Sequence, residues 1–550
     1  MTTMRKFIVF SIVFCFNIYT GVAQTLQWAK QFGSSQSDIA FSNTIDRIGN
    51  SYITGYTDTP SLDFFICKFD TSGTLLWTKT LGGPAFDSAT DITVDDNCNI
   101  YICGSFSDSV DFDPGPNISQ LISHAYSDAF LLKLDSAGNF VWVRQLGGGG
   151  INDDRSASCV VNGSDIYWCG VFSDTAFYTA ENSTMPVAVS LGINNDVFIL
   201  KLDTGGNFIW IKSIEGTNTV LVNSIALASN GDLIVMGVFS GTCDFNPDTV
   251  VSFYLTSLGF SDIYILELDS QGNFINAKQL GGSNLAVGRE VKLDNADNIY
   301  GIGYFIDTLD ADPNAGVLNL ISNGLNDVCL FKLNSGGNLI WAKSWGGTGS
   351  DLGISFAIDT ANNIYTVGAF VNTVNFDPGP GIYILTSNGG VNTFVSKLDS
   401  AGNFIWAKQL DGSNNIGFSI TLDVKESIYV AGEFGGLCDF DPSGNSYTLT
   451  SSGLDDAYLF KWSQVLTGLQ HMNNLSGLNV FPNPFVNNVQ ISLPEKAIIT
   501  VSNIAGQVIL KTILPAGANA VSLANQPGGA YLLNVQTGKS SSNAVLIKSY

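Results

Sequence analysis

The sequence predicts an all-β chain in which seven four-stranded sheets close into a ring, with a small β-sandwich behind it. Three observations predict this. A tryptophan setting recurs along most of the chain, each recurrence carries four short strand signals, and the first and last recurrences are complementary fragments. Trp28, Trp77, Trp142, Trp210, Trp341 and Trp406 each begin a W-x-K or W-x-R triplet, and Asn276 takes that place in the remaining copy. From Trp77 onward the copies lie about 65 residues apart, a spacing that belongs to solenoids and propellers.

One unit, residues 87–147, shows the elements in order. SATDITVD (88–95) and NIYICGSF (99–106) are the first two strand signals; DAFLLKLD (128–135) and NFVWVRQL (139–146) are the third and fourth. Asp96-Asn97 and Ser136-Ala137-Gly138 supply the turns. The third strand is nearly all apolar, so both its faces need cover, which sheets stacked face to face provide. First strands are expected at about 38–46, 88–95, 155–162, 221–228, 287–294, 352–359 and 416–423. The chain enters the repeats on a fourth strand, TLQWAKQF (25–32), and leaves them on a third, DAYLFKWS (456–463). The orphan at the start fits the gap at the end and removes an open edge. The fold class expected is therefore a seven-bladed β-propeller closed by the N-terminal strand, followed by a small C-terminal β-sandwich.

Composition agrees with a folded, exported body. Hydrophobic residues make up 45% of the 550, charged residues 13%, and there are 58 glycines. A net charge of −24 repels phosphate backbones, so nucleic acid is not an expected partner. Cations, neutral glycans and basic protein surfaces stay open. Residues 1–23 follow the grammar of a signal peptide: Arg5 and Lys6, an apolar run from Phe7 to Tyr19, and Gly21 and Ala23 before a cut after Ala23. Cys15 sits inside the apolar run rather than after a small-residue box, so no lipoprotein anchor is expected, and no later transmembrane helix is expected either. The body spans 24–463, a linker 464–476, and the second domain 477–550. Eight cysteines follow the signal. Several align with valines in other copies and read as small apolar strand residues, while Cys159 and Cys169 are the best candidates for a bridge.

The stretch DFDPGP (111–116) returns as CDFNPD, LDADPN, VNFDPG and CDFDPS. Paired acids beside glycine suggest calcium, whereas Asx-Pro suggests a turn. Asx-Pro is what survives in all five copies, and the third polar ligand of a calcium loop appears irregularly. Turn chemistry is the expectation, type II at Asp113-Pro114-Gly115-Pro116 and at Asp377-Pro378-Gly379-Pro380, and an Asx-begun type I turn elsewhere. Asp111, Asp113, Asp439 and Asp441 are kept as possible calcium ligands. So are Asp38, Asp87, Asp154 and Asp351, one before each of four first strands, which would gather near a mouth of the central channel. No cofactor other than calcium is suggested.

In a repeat protein a site should show as departures from the repeat. On the face carrying the DFDP loops these are His124, Tyr126, Arg155, Arg289, and Tyr178 and Glu181 of the odd loop 177–189. They are the candidate ligand-binding residues, with loop drift as the alternative account. No catalytic residue is assigned: neither His124 nor His471 has a triad partner in sequence, and no metalloprotease, P-loop or dinucleotide motif occurs. A carboxylate pair assembled from distant loops stays open. The function expected is a non-catalytic binding or adhesion module for glycan or protein, the alternative an extracellular hydrolase or lyase acting on polysaccharide.

DNADNIYGIG (294–303), DAFLLKLDSAGNFVW (128–142) and LDSAGNFIWAKQL (398–410) resemble the bacterial β-propeller repeat, the SBBP-like pattern, over about residues 25–463. That resemblance speaks to fold rather than to activity. The tail resembles the type A C-terminal sorting domain of the type IX secretion system. Phe481, Pro482, Asn483 and Pro484 carry the match with Ile504, Gly506, Gln507, Gly529, Tyr531 and the closing Lys548. The resemblance implies the type IX machinery as partner, passage across an outer membrane, removal of the tail, and a place outside the cell, released or on its surface.

Overall fold

The computed structural model describes residues 22–58, 61–149, 152–180, 183–189, 195–248, 250–466, 479–481, 485–503, 508–527, 529–537 and 541–548. Every regular element among them is a strand. They divide into two compact units, one of Thr25–Ser463 and another holding Gln464–Tyr550. The signal segment through residue 21 and most of the expected linker lie outside the described residues.

Within Thr25–Ser463, seven four-stranded cores recur among the described residues, each running first, second, third, fourth strand. The second unit is Ser88–Val94, Ile100–Asp111, Gln120–Leu134 and Phe140–Gly148. The seventh is Asp411–Leu422, Ile428–Asp439 and Thr448–Leu466, and its fourth place is filled by Val22–Phe32. That strand begins before the expected cut after Ala23. Trp28 meets the ring of Tyr429 at 5.7 Å, as Trp142 meets Tyr101 at 6.2 Å and Trp406 meets Tyr365 at 6.3 Å inside their own sheets. Thr25 Oγ1 and Ser463 Oγ lie 2.8 Å apart. First strands pack in succession from unit to unit, and Ile39–Ile45 of the first also packs on Asp411–Leu422 of the seventh.

The recurring sequence marks have physical reasons. In the turn after the third strand of units two, three, four and six an aspartate holds two backbone amides and a following asparagine: Asp135 Oδ1 accepts from Ala137 and Asn139 N–H, and Oδ2 accepts from Asn139 Nδ2 at 2.8 Å. The third-strand lysine lies over the second-strand tyrosine, Lys133 at 5.0 Å from the Tyr101 ring and Lys332 at 4.6 Å from Tyr300. Its ammonium then donates to the next unit, Lys133 to the Thr204 carbonyl at 2.8 Å, or pairs with the aspartate just after the first strand, Lys332 with Asp294 at 3.2 Å. This is why lysines spread around the repeats without making a basic patch. Third strands such as Phe130–Leu132 are fully buried between neighbouring sheets, each large side chain stabilising the body by about 1.5–3 kcal/mol.

The inserts prolong or bridge sheets. In units two, six and seven they extend the second and third strands, pairing Asp111 with Gln120, Asn375 with Ile384 and Asp439 with Thr448. In units four and five the short strands Thr242–Asp244 and Thr308–Asp310 pair back onto the preceding sheet's fourth strand. Thr175–Ala180 of unit three does the same onto Phe140–Gly148. These contacts cover outer edges that would otherwise template association.

All eight cysteines of the body are buried and free. The expected Cys159–Cys169 bridge is not made, because register sets Cys159 opposite Trp168 and Cys169 opposite Ser158. The tail has two sheets, of three and four strands, sharing a core that includes Val489, Ile499, Val521, Leu533 and Leu546.

Candidate ligand-binding site

Every first strand carries a β-bulge at the same place. Pairing skips Phe41, Thr90, Ala157, Asn223, Arg289, Ile354 and Phe418, one in each unit. The residue before each bulge faces a glycine of the second strand: Gly55, Gly104, Gly170, Gly237, Gly303, Gly368 or Gly432. A side chain there would meet backbone, since a Cβ on Gly303 would fall 2.0 Å from the Val287 carbonyl oxygen and one on Gly368 1.9 Å from that of Leu352. The glycine of the Y-x-x-G pattern thus admits the bulge, and a bulge re-aims a side chain. All seven bulge residues line one cavity of about 410 Å³.

The next residue along each first strand is serine or an acid: Ser42, Asp91, Ser158, Ser224, Glu290, Ser355, Ser419. These line the same cavity and, Ser355 excepted, a second one of about 740 Å³, so they mark a waist between the two. Their oxygens tie unit to unit. Ser355 accepts from Ile420 N–H at 3.2 Å, Ser224 from Val291 N–H at 3.2 Å, and Glu290 from Phe356 N–H at 2.7 Å. Ser419 accepts from Asn43 N–H at 3.1 Å, which joins unit seven to unit one. Asp91 accepts four donors, from Ser42 and Ser158 hydroxyls and from Ile92 and Cys159 N–H. Its carboxyl is pushed up by burial, against the pull of those donors. Cys103 and Cys159 thiols lie within 4.8 Å of it and of each other, the one trio of potential metal ligands among the described residues, but both Asp91 oxygens are already occupied.

Beyond the waist the cavity is lined by both aromatic and cationic side chains. Phe418 and Phe41 touch at 5.5 Å between ring centres, Tyr56 follows at 5.8 Å, and the exposed Phe86 at 5.5 Å from Tyr56. Arg155 and Arg289 also line it. Of the ligand residues expected from sequence, these two are brought together. His124 is not: its Nδ1 lies 2.6 Å from Asp128 Oδ2 and its ring stacks on Phe177 at 5.8 Å. Tyr126 is exposed but lines neither cavity. Tyr178 is corrected from ligand contact to core residue, buried with its hydroxyl donating to the Gly206 carbonyl at 2.7 Å. Glu181 lies outside the described residues. The bulge aromatics and the waist were missed, and the available signal was the fixed step from each first-strand start to a serine or acid.

The acids expected to gather at the channel mouth do not. Asp38, Asp87, Asp154 and Asp351 are buried, each in its own junction between units. Asp87 accepts from Gly83 and Ser107 N–H, Asp154 from Gly148 and Ser173 N–H, and Asp351 from Gly347 and Val371 N–H. Asp38 accepts from Ser34 N–H. Burial pushes the Asp87 carboxyl up to about 6 and that of Asp154 up to about 7, with a second buried acid, Asp63 or Asp128, adding to the rise.

The DFDP loops are Asx knots. Asp111 Oδ1 accepts from Asp113 and Ser119 N–H, and Asp113 Oδ1 from Gly115 N–H. Asp439 and Asp441 repeat this with Asp441, Tyr447 and Ser443 N–H. Asn375 makes the same two bonds as Asp111, to Asp377 and Tyr383 N–H. The type II turn is a correction: Gly115 and Gly379 do not take the positive φ it requires, because the Asx side chain closes the turn instead.

In the tail, Pro482, Asn483, Pro484 and Gly506 lie outside the described residues. Gly529 has φ 143°, open to glycine alone. The Tyr531 hydroxyl donates to Pro527, and the buried Lys548 ammonium donates to the carbonyls of Leu523, Ala524 and Gln526. Lys548 thereby pins the last strand to the turn before Tyr531.

Comparison with known proteins agrees with both parts. The secretion system C-terminal sorting domain family matches residues 479–549, and the β-propeller repeat family matches 27–60. An uncharacterised WD repeat-containing protein of Acanthamoeba polyphaga mimivirus is 25% identical over 215 residues, 33% of this chain and 15% of that protein. The chain thus spans about 15% of the length of that curated relative. A structure of a Bacteroides caccae protein of unknown function aligns over 63% of this chain and 89% of its own, at 8% identity and TM-score 0.30. PorZ, a surface component of the type IX secretion system of Porphyromonas gingivalis, aligns over 95% and 100%, at 11% identity and TM-score 0.16. The chain is a β-propeller-repeat protein with a type IX secretion C-terminal sorting domain, exported to the outer cell surface or beyond it.

Proposed function

We propose that the exported body is a closed seven-bladed propeller acting as a non-catalytic binding or adhesion module, for a glycan or a protein, through the axial cavity. Closure draws support from Val22–Phe32 in the seventh sheet and from the Ser419–Asn43 bond. The observation that carries the site is the row of bulges. Seven equivalent positions open on one cavity, and they hold aromatic, aliphatic, amide and cationic side chains while the framework around them repeats. Both acids in that cavity are engaged, Asp91 by four donors and Glu290 by Lys292 at 2.7 Å and Phe356 N–H. This favours holding a ligand over cleaving one. A glycan array and a surface-protein pull-down with the full chain test it. The expected outcome is a ligand whose signal disappears in the Phe41→Ala/Phe418→Ala double variant with the fold intact by circular dichroism. Turnover of a polysaccharide in a broad panel would replace this reading with the hydrolase or lyase.

A further inference from the structure

Resting on the axial cavity as the binding site, we infer that its ligand is an acidic saccharide, a sugar whose carboxylate meets Arg155 and Arg289 while its ring face lies on Phe41 and Phe418. The chain has five arginines against a net charge of −24, and two of them open on one cavity of about 410 Å³. Cavities of this size take small ligands or the end of a larger one.

The contrast with Arg144 is informative. Its guanidinium donates to the carbonyls of Val143, Gly205 and Gly206 and lies 4.9 Å over the Trp142 ring. It is a structural cation with every side occupied. The guanidiniums of Arg155 and Arg289 have neither a hydrogen bond nor an ion pair among the described residues. Arg289 sits on a bulge, where the register itself turns the side chain out of the ladder. The nearby carboxylates do not satisfy these groups, because Asp91 and Glu290 are tied to the waist by their own donors. Two unspent guanidiniums in an acidic protein make a local seat for an anion, and their fork matches a carboxylate.

A carboxylate alone would fit an acidic peptide as well. The aromatic lining decides for the sugar. Phe418, Phe41, Tyr56 and Phe86 form a run of aromatic contacts, tilted at 69°, 50° and 67° in turn, from inside the cavity to the exposed Phe86, and their separate faces suit the apolar faces of successive sugar rings. A peptide strand would need a run of free backbone donors, and on the open edge of the first strands the N–H groups of Asn43, Cys159, Val291, Phe356 and Ile420 are already given to waist oxygens.

The test is calorimetric titration of the full chain with oligogalacturonate and with its fully methyl-esterified counterpart. Arg155→Gln, Arg289→Gln and, as a control of equal charge change, Arg47→Gln at an exposed turn are compared. The acid should bind at least tenfold more tightly than the ester, each cavity variant should lose about tenfold for the acid, and Arg47→Gln should leave binding unchanged. Equal affinity for acid and ester, both lost in Phe41→Ala/Phe418→Ala, would overturn the charge inference and leave the cavity as the binding site. Arginine-dependent binding of poly-glutamate without oligogalacturonate would overturn the saccharide. Other ligands bound with no response to any cavity variant would overturn the cavity reading itself, and the inference with it.

Discussion

Two neighbouring rows of residues along the repeats, one step apart in sequence, have opposite characters. The waist holds only serine, aspartate or glutamate in all seven units, while the bulge just before it holds phenylalanine twice and five other residue types once each. The difference follows from where each side chain spends its polar atoms. Waist oxygens accept an N–H from the adjoining unit or, at Ser42 and Ser158, donate to Asp91 there, so a change there is felt at a junction. A bulge side chain has left the ladder, so it is free to differ; Thr90 and Asn223 alone among the seven donate to a carbonyl of the next unit. Repetition marks what holds the body together, and variation marks what it can touch.

The sharpest way to break this comparison is to attack the glycine that permits the bulge. Gly303→Ala would put a methyl 2.0 Å from the Val287 oxygen, and we expect at least about 3 kcal/mol of destabilisation, read by denaturant unfolding. If it is tolerated, the bulge is not what the glycine serves.

Stability should next depend on pH. Burial raises the carboxyls of Asp87 and Asp327 to about 6 and of Asp154 to about 7. The unfolded chain therefore releases these protons first, and stability falls as pH rises from about 4 to about 7. Asp294 and Asp359, despite burial, are held below the ordinary range by their asparagine partners and backbone donors. Their contribution is present above about pH 4 and is lost only in stronger acid. Melting at pH 5 should thus occur several degrees above that at pH 8, at roughly 2–4 °C per kcal/mol.

At the waist, Ser419→Ala and Ser355→Ala should each cost about 1 kcal/mol. Equal losses would mean that the junction between units seven and one is built like the others; a negligible loss at Ser419 alone would separate them. The smallest effect is expected in the inserts. Asn375 already does the work of an acid, so Asp111→Asn and Asp439→Asn should shift unfolding by less than about 0.5 kcal/mol, with or without a chelator. A large chelator-sensitive loss would return these loops to calcium.

How much of this was legible in the sequence depended on distance along the chain. The four-strand unit, the Asx-Pro turns and the orphan first strand are local or additive signals, and strands stand where the pattern placed them. The bulge is not local. It needs the register between two strands, so the glycine of Y-x-x-G was visible as a motif while its reason was not. The acids before the first strands were misplaced for a related reason. Their position suggested a common mouth, but each points along its own junction, where backbone amides of two loops converge on it. Tyr178 looked like a departure from the repeat and is one, yet its hydroxyl is spent on Gly206.

Val22–Phe32 pairs with a segment more than 400 residues later in the chain. A chain translocated from its amino end would therefore present this strand more than 400 residues before its mate. Through that interval its backbone donors wait unmatched, a condition that exposes it to proteases and to the wrong neighbour. The slow step in maturation should be this reunion, and a chain stopped short of residue 448 should remain open to cleavage near its own beginning.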